Sequence, residues 1–215
     1  MKNTSSKVRN WLKKERKERG DRKMKFSTRH IILRPMEEKD LSILHQWRND
    51  GDFIQYCSVR RYPVEYEEFI NELQKDFKND RHRQFIIELQ KERKVIGTTY
   101  SYNFNSIDGY AFITIYLEER YRYRGYGAEA VALFLRFLFE SYPLYKIYME
   151  VYDYNQHALS ILQNASFEEE GRFKEHRFFR EERYDLIRFA FFQKSLTKVF
   201  EFLENIKFYR KGGDV

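Results

Sequence analysis

Gly125-Tyr126-Gly127-Ala128 follows a strand-like run and opens a helical one. Glycines let backbone N–H groups come close to an anion. A helix N-terminus adds unpaired N–H groups and the positive end of its dipole. Arg122 and Arg124 supply charge just upstream. The chemistry open to this stretch is the holding of a phosphate or pyrophosphate. Two other readings share the pattern. One is an ordinary tight turn before a helix, with solvated arginines. The other is a dinucleotide loop, because the run also reads Gly-x-Gly-x-x-Ala, and Glu150 ends the next strand near the spacing of a ribose-binding acid. Three features weigh against the dinucleotide loop. The seven residues Glu118 to Arg124 separate strand from glycine, the strand is preceded by an antiparallel hairpin, and the unit lies mid-chain.

Other chemistry finds little support. The five histidines (30, 45, 82, 157 and 176) lack metal-ligand spacing, and Cys57 is the only cysteine. There is no Walker loop and no nucleophile elbow.

The elements that must position the glycine loop can be read from periodicity. His30 to Pro35 is a short strand closed by proline. Asp40 to Arg48 is helical, with Leu41, Leu44 and Trp47 or His45 on one face. Residues 49–63 read as irregular. Val64 to Phe77 carries apolar residues at helical spacing. Gln84 to Leu89 and Lys94 to Tyr102 are strands, the second with Gly97 as a bulge candidate. Asp108-Gly109 then turns the chain, and Tyr110 to Leu117 pairs back. Gly125 to Glu140 is a long helix, Tyr145 to Tyr152 a buried strand, and Asn155 to Asn164 a short helix. Phe167 to Phe179 and Arg183 to Phe192 form a last hairpin. Residues 194–208 form an amphipathic helix that covers the sheet or a second subunit.

Bulk properties bound the classes. The chain has 215 residues and a net charge of +7, but residues 1–29 carry +9 and the remainder −2. The basic character therefore belongs to a tail, and the body has no nucleic-acid footprint. That tail is either a solvated arm or an electrostatic arm for RNA, the ribosome or anionic lipid. Met24-Lys25-Phe26 also suits the start of a compact domain. No apolar run is long enough to span a membrane, and the single cysteine suits a reducing cytoplasm. The division expected is a basic extension over 1–28, a catalytic domain over 29–192, and a helix with tail over 193–215.

Arg122-Tyr123-Arg124-Gly125-Tyr126-Gly127 resembles the Arg-x-x-Gly-x-Gly signature of the GNAT superfamily of N-acetyltransferases. A second stretch is similar to that family's Asn-x-x-Ala helix: Asn155-Gln156-His157-Ala158, then Ile161-Leu162, closing Ala165-Ser166-Phe167. The resemblance runs over roughly residues 29–192. Gly171 to Asp185 and the Trp47-Arg48-Asn49 helix end look like the branch that acetylates ribosomal-protein N-termini, polyamines, antibiotics and amino-sugars. Two positions depart from the pattern. Ser166 replaces the usual glycine, and Leu162 stands where a tyrosine often serves as general acid.

The resemblance implies an α/β (α+β) fold with a mixed, mostly antiparallel sheet of six to seven strands and helices on both faces. It implies direct transfer from acetyl-CoA, without metal, to the amine of a small molecule or protein N-terminus. Tyr116, Leu117, Arg122, Arg124, Gly125, Tyr126, Gly127, Ala128 and Asn155 would hold the cofactor. Glu118, followed by Glu119, is the positional candidate for general base, and an ion pair with Arg120 or Arg122 is its structural alternative. Tyr154 is a candidate proton donor to the thiolate, with Tyr152 and Ser160. Trp47, Asn49, Tyr56, Tyr100, Tyr102 and Tyr110 would line the acceptor pocket, whose phenols suit a polar amine such as a sugar or antibiotic amine. A homodimer is compatible with the final helix. Two competing functions remain at this level: a degenerate fold binding RNA or the ribosome through the basic arm, and a nicotinamide-dependent oxidoreductase.

Overall fold

The computed structural model describes residues 26–57, 62–78 and 83–205. Most of the basic extension, and residues 206–208 of the expected last helix, lie outside them. One sheet of eight strands organises the chain: β1 (Phe26–Ser27), β2 (Ile31–Pro35), β3 (Arg83–Leu89), β4 (Val95–Asn105), β5 (Tyr110–Leu117), β6 (Lys146–Tyr152), β7 (Glu168–Phe179) and β8 (Glu182–Phe192). Their spatial order is β1-β2-β3-β4-β5-β6-β8-β7. Every neighbouring pair is antiparallel except β5 and β6. The mixed, mostly antiparallel sheet is as expected. Its eighth strand is the two-residue β1, too short to show a period.

Alternation divides the strand side chains between two layers. Ile113 of β5, Met149 of β6 and Phe189 of β8 pack against α4 (Tyr126–Ser141), α5 (Gln156–Asn164) and α6 (Leu196–Asn205). Ile86 and Tyr116 face the other way, onto α1 (Leu41–Arg48), α2 (Gly51–Tyr56) and α3 (Tyr66–Lys78). Helix α2 corrects the irregular reading of residues 49–63. Its signal is local and polar: the Asp50 carboxylate caps it, accepting from the N–H groups of Asp52 (3.0 Å) and Phe53 (3.3 Å). Six residues are too few to show an apolar period.

The parallel pair β5/β6 holds register only from Tyr110↔Lys146 to Phe112↔Tyr148. Beyond that the strands part. On the other side of β5, Ile96 bulges from β4, where Ile87 pairs with Gly97 and Glu88 with Val95. Gly97 is required there, because a Cβ would meet the Tyr116 carbonyl oxygen at 2.2 Å. The Ile96 carbonyl then accepts the N–H of Glu118 at 3.0 Å, carrying the pairing one step past β5.

Helix α5 ends in a left-handed residue. The Phe167 N–H reaches the Leu162 carbonyl at 3.3 Å, and Ser166 between them has φ +63°. This is the position where the sequence departs from the expected glycine. The turn is kept and serine carries a left-handed backbone, which costs about 1–2 kcal/mol for an L-residue. Ser166→Gly is therefore expected to stabilise the protein by up to about 1 kcal/mol once glycine's extra chain entropy is set against that strain. A thermal melt should rise by about 2–4 °C. An unchanged or lowered melting temperature would show that the serine is unstrained.

Candidate active site

The parting of β5 and β6 opens a cleft in the sheet, and a cavity of about 480 Å³ fills it. Ile115 to Leu117 form one wall, Met149 the other, and the N-terminal ends of α4 and α5 close on them. An extended strand turns the N–H and C=O of each residue to one edge and those of the next residue to the other. The Ile115 carbonyl accepts from Cys57 Sγ (3.5 Å) and the Leu117 carbonyl from Arg122 Nε (2.8 Å), both outside the β4 ladder. The N–H groups of Ile115 and Leu117 share that open edge. The Tyr116 carbonyl lies against Gly97 instead, so Tyr116 faces β4. Of the expected pair, Leu117 is thus the residue with a donor for a ligand in the cleft. The Tyr116 side chain is buried between Trp47 and Phe53, with ring centroids 5.6 and 5.4 Å away.

The glycine loop sits at the cleft's mouth. Gly125 caps α4 with φ +82°, and the first helical bond runs from the Glu129 N–H to the Gly125 carbonyl at 3.1 Å. The N–H groups of Tyr126, Gly127 and Ala128 are therefore the helix's unpaired donors. The two arginines divide their work. Arg122 binds Asp52 (2.5 Å) and the Leu117 carbonyl, and lies 5.6 Å above the Tyr116 ring. It braces α2 and β5 before any ligand arrives. Arg124 is exposed at the mouth and makes no ion pair among the described residues. Asn155 Oδ1 caps α5 by accepting from the Ala158 N–H at 3.2 Å, leaving its amide nitrogen to donate. Tyr123 and His157 touch across the mouth, rings 4.2 Å apart. Desolvation lowers the His157 pKa, so its imidazole is neutral at pH 7.

A second cavity, of about 460 Å³, lies on the opposite face under α1 to α3. Trp47, Tyr100 and Tyr102 line it as expected, with Phe53 and Thr98. Its charged lining is Glu72, Asp76 and Glu150 against Arg48. Arg188 holds Glu150 by two hydrogen bonds to one oxygen, 2.9 and 2.6 Å. Burial pushes Tyr102 up to about 12, helped by Glu150, and raises Tyr100 further. Both phenols are neutral hydrogen-bonding groups. Desolvation also raises the Asp76 pKa from its ordinary value. Cys57 lines both cavities, and burial pushes its thiol up to about 12. It is a neutral partition rather than a nucleophile.

Several expected residues stand elsewhere. Glu118 lines neither cavity: Arg120 donates to one oxygen (2.8 and 2.6 Å) and Trp47 Nε1 to the other (3.3 Å). Its carboxylate is spent on the loop. Tyr154 donates its hydroxyl to the Gln55 carbonyl at 2.8 Å, and burial pushes it up to about 12. It anchors α2 and lines neither cavity. Tyr152 stacks on Tyr154 at 5.4 Å, and Ser160 is exposed on α5. Asn49 holds both backbone groups of Val64, at 2.8 and 3.0 Å, so it fixes the chain entering α3 and leaves acceptor contacts to others. Tyr56 lines the cleft between β5 and β6, not the cavity under α1 to α3. Tyr110 packs on Phe112 and Tyr148 at the closed end of the cleft, opposite the end where the strands part.

Sequence reasoning missed Cys57, Glu72, Asp76 and His157, and gave Glu150 only a ribose role. One signal was available: Glu72 and Asp76 stand four residues apart beside the apolar stripe of α3.

The family model described as an acetyltransferase (GNAT) domain matches residues 30–168. Spermidine N(1)-acetyltransferase of Escherichia coli K12 is 27% identical over 168 residues, covering 78% of this chain and 88% of that protein. A probable N-acetyltransferase of Bacillus subtilis, YjcK, is 30% identical over 152 residues, 66% and 82% of the two chains. The structure of spermidine N-acetyltransferase from Vibrio cholerae in complex with CoA and spermine superposes with a TM-score of 0.72 at 23% identity, covering 78% of this chain and 98% of that one. The chain belongs to the GNAT acetyltransferase family. It is an N-acetyltransferase that moves an acetyl group from acetyl-CoA to an amine.

Two substitutions separate binding from scaffolding. A Cβ at Gly127 would meet only Leu117 Cδ1, at an ordinary 3.5 Å. Gly127→Ala should fold and gain up to about 1 kcal/mol in helix stability, yet raise KM for acetyl-CoA more than about tenfold by crowding the amides that face the pyrophosphate. A KM within twofold of wild type would remove those amides from the site. Glu118→Gln should keep kcat within about threefold, since both carboxylate oxygens are already engaged by Trp47 and Arg120. A loss of two orders of magnitude would restore it as the base.

Proposed function

We propose that the acceptor is a short, flexible polyamine bound in the cavity under α1 to α3. The observation that carries this reading is the lining of that cavity: three carboxylates (Glu72, Asp76, Glu150) among aromatic rings, against one guanidinium, Arg48. Carboxylates attract ammonium groups, and Trp47 and the neutral phenols of Tyr100 and Tyr102 offer π faces and hydrogen bonds. The spermidine acetyltransferase names of two relatives agree with this chemistry.

In the proposed reaction the pyrophosphate lies on the Tyr126–Ala128 amides with Arg124 at its side, and the pantetheine arm follows the open edge of β5. The Leu117 N–H polarises the thioester carbonyl as charge develops on its oxygen. A neutral primary amine, approaching past Cys57, attacks the carbonyl carbon. The tetrahedral intermediate collapses, the C–S bond breaks, and the CoA thiolate takes up the proton released by the amine. Asp76, with its raised pKa, is placed to pass the first proton to solvent.

The test is a turnover screen with acetyl-CoA against spermidine, spermine, an aminoglycoside, a peptide N-terminus and a nucleotide amino-sugar. Polyamines are expected to lead by at least an order of magnitude in kcat/KM. The pair Glu72→Gln with Asp76→Asn should raise polyamine KM about tenfold or more, because two attractions at the cavity's lining are removed. Faster turnover of peptides or amino-sugars would overturn the assignment.

A further inference from the structure

Two parts of the cofactor cleft's lining are assigned. Its mouth, at Arg124, Gly125 and Asn155, suits the pyrophosphate. Cys57 lines this cleft and the acceptor cavity alike, and is where amine and thioester would meet. A third part of the lining is apolar and is the floor below: Val131 of α4, Ala165 and Phe167 after α5, and Val199 of α6, beside the Met149 wall. Val199 belongs to α6, beyond the span matched by the family model, and is 2% exposed. Leu196, Phe200 and Leu203 pack the same helix onto the core, and Arg136 covers the Phe200 ring at 5.4 Å.

The floor's side chains contain no nitrogen or oxygen. The pantetheine arm carries two amides, which need hydrogen-bond partners when buried. The open edge of β5 supplies such partners, and the floor does not. What suits the floor is hydrocarbon. A chain attached to the thioester carbonyl has two ways to leave the junction. One leads among Arg48, Glu72, Asp76 and Glu150, where apolar surface displaces the water around charges. The other leads down to the floor. We propose that this enzyme also takes acyl-CoA donors longer than acetyl, with the alkyl tail lying in a channel that Val199 closes. The chemistry is unchanged: the amine nitrogen bonds the acyl carbonyl carbon, the C–S bond breaks, and CoA leaves with the proton. The inference rests on the pyrophosphate placement given above and is independent of which amine is accepted.

The donor series acetyl-, propionyl-, butyryl- and hexanoyl-CoA tests it, run with whichever amine turns over. Butyryl-CoA is expected within about thirtyfold of acetyl-CoA in kcat/KM. Calorimetry without any amine should show affinity rising about fourfold per added methylene until the floor is reached, the equivalent of about 0.8 kcal/mol each. Val199→Phe should lower the butyryl-to-acetyl ratio of kcat/KM at least fivefold, and Val199→Ala should raise it for hexanoyl-CoA. A wild-type fall beyond thirtyfold from acetyl to butyryl, or a ratio that neither variant moves, overturns the proposal. If Val199→Phe does not fold, the wild-type series and Val199→Ala decide alone. Failure of every polyamine as acceptor would sink the acceptor assignment and leave the donor measurements intact.

Discussion

Three residue pairs of parallel ladder, Tyr110↔Lys146 to Phe112↔Tyr148, decide what this molecule can do. An unpaired strand edge inside a sheet exposes N–H and C=O groups that must find partners. Here the loss is confined to the last five residues of β5 and the last four of β6. The partners that come to that edge are side chains from other elements, Cys57 to Ile115 and Arg122 to Leu117. The edge's amides remain for a ligand with carbonyl groups of its own. The Ile96 bulge sets the place, since bulges bend a strand and raise its twist. Gly97 makes the close approach of β4 and β5 sterically possible. Cleft, loop and helix N-terminus all follow from where those two strands stop pairing.

The sheet also separates two electrostatic environments. On the α4 side the cleft mouth presents helix N–H groups and Arg124, which suit an anion. On the α1–α3 side the cavity carries an excess of carboxylates, which suits a cation. In the proposed reaction, acetyl-CoA and an amine of opposite charge are drawn to opposite faces and meet at one opening. Helix α2 frames that opening. It is too short to be stable alone, and four contacts from elsewhere fix it: Arg122 to Asp52, Tyr154 to Gln55, Arg177 to the Ile54 carbonyl and Cys57 to Ile115.

Much of this was legible in the sequence. Period and turn chemistry placed the strands and the long helix, because β5, α4 and β6 bury full apolar faces. The glycine loop and Asn155 were legible because backbone amides and helix caps are local features. What was not legible depends on long-range pairing. The Arg120 pair of Glu118 was legible as an alternative two residues away, but nothing near Glu118 in the chain shows that Trp47 takes its other oxygen. Nothing near Tyr110 shows that it lies at the closed end of the cleft, since strand periodicity gives the face of a residue but not its height along a gap. Asn49 falls in the segment after α1 that was expected to line the acceptor pocket. Its amide instead completes a backbone pair with Val64, fifteen residues on. Glu72 and Asp76 were overlooked because an acidic pair on a helix surface usually faces only solvent.

The two loop arginines show why a motif's letters underdetermine its physics. Arg122 and Arg124 stand two residues apart, and charge counting makes them equivalent. Burial does not. Arg122 is enclosed beside Tyr116, where a guanidinium without a carboxylate would be costly, so Asp52 and the Leu117 carbonyl take its donors. Those bonds hold the wall of the cleft in shape before any ligand arrives. Arg124 is exposed and loses little by exchanging water for a phosphate oxygen. The inner arginine therefore organises the cleft and the outer one greets the anion, with Gly125 turning the chain from one role to the other.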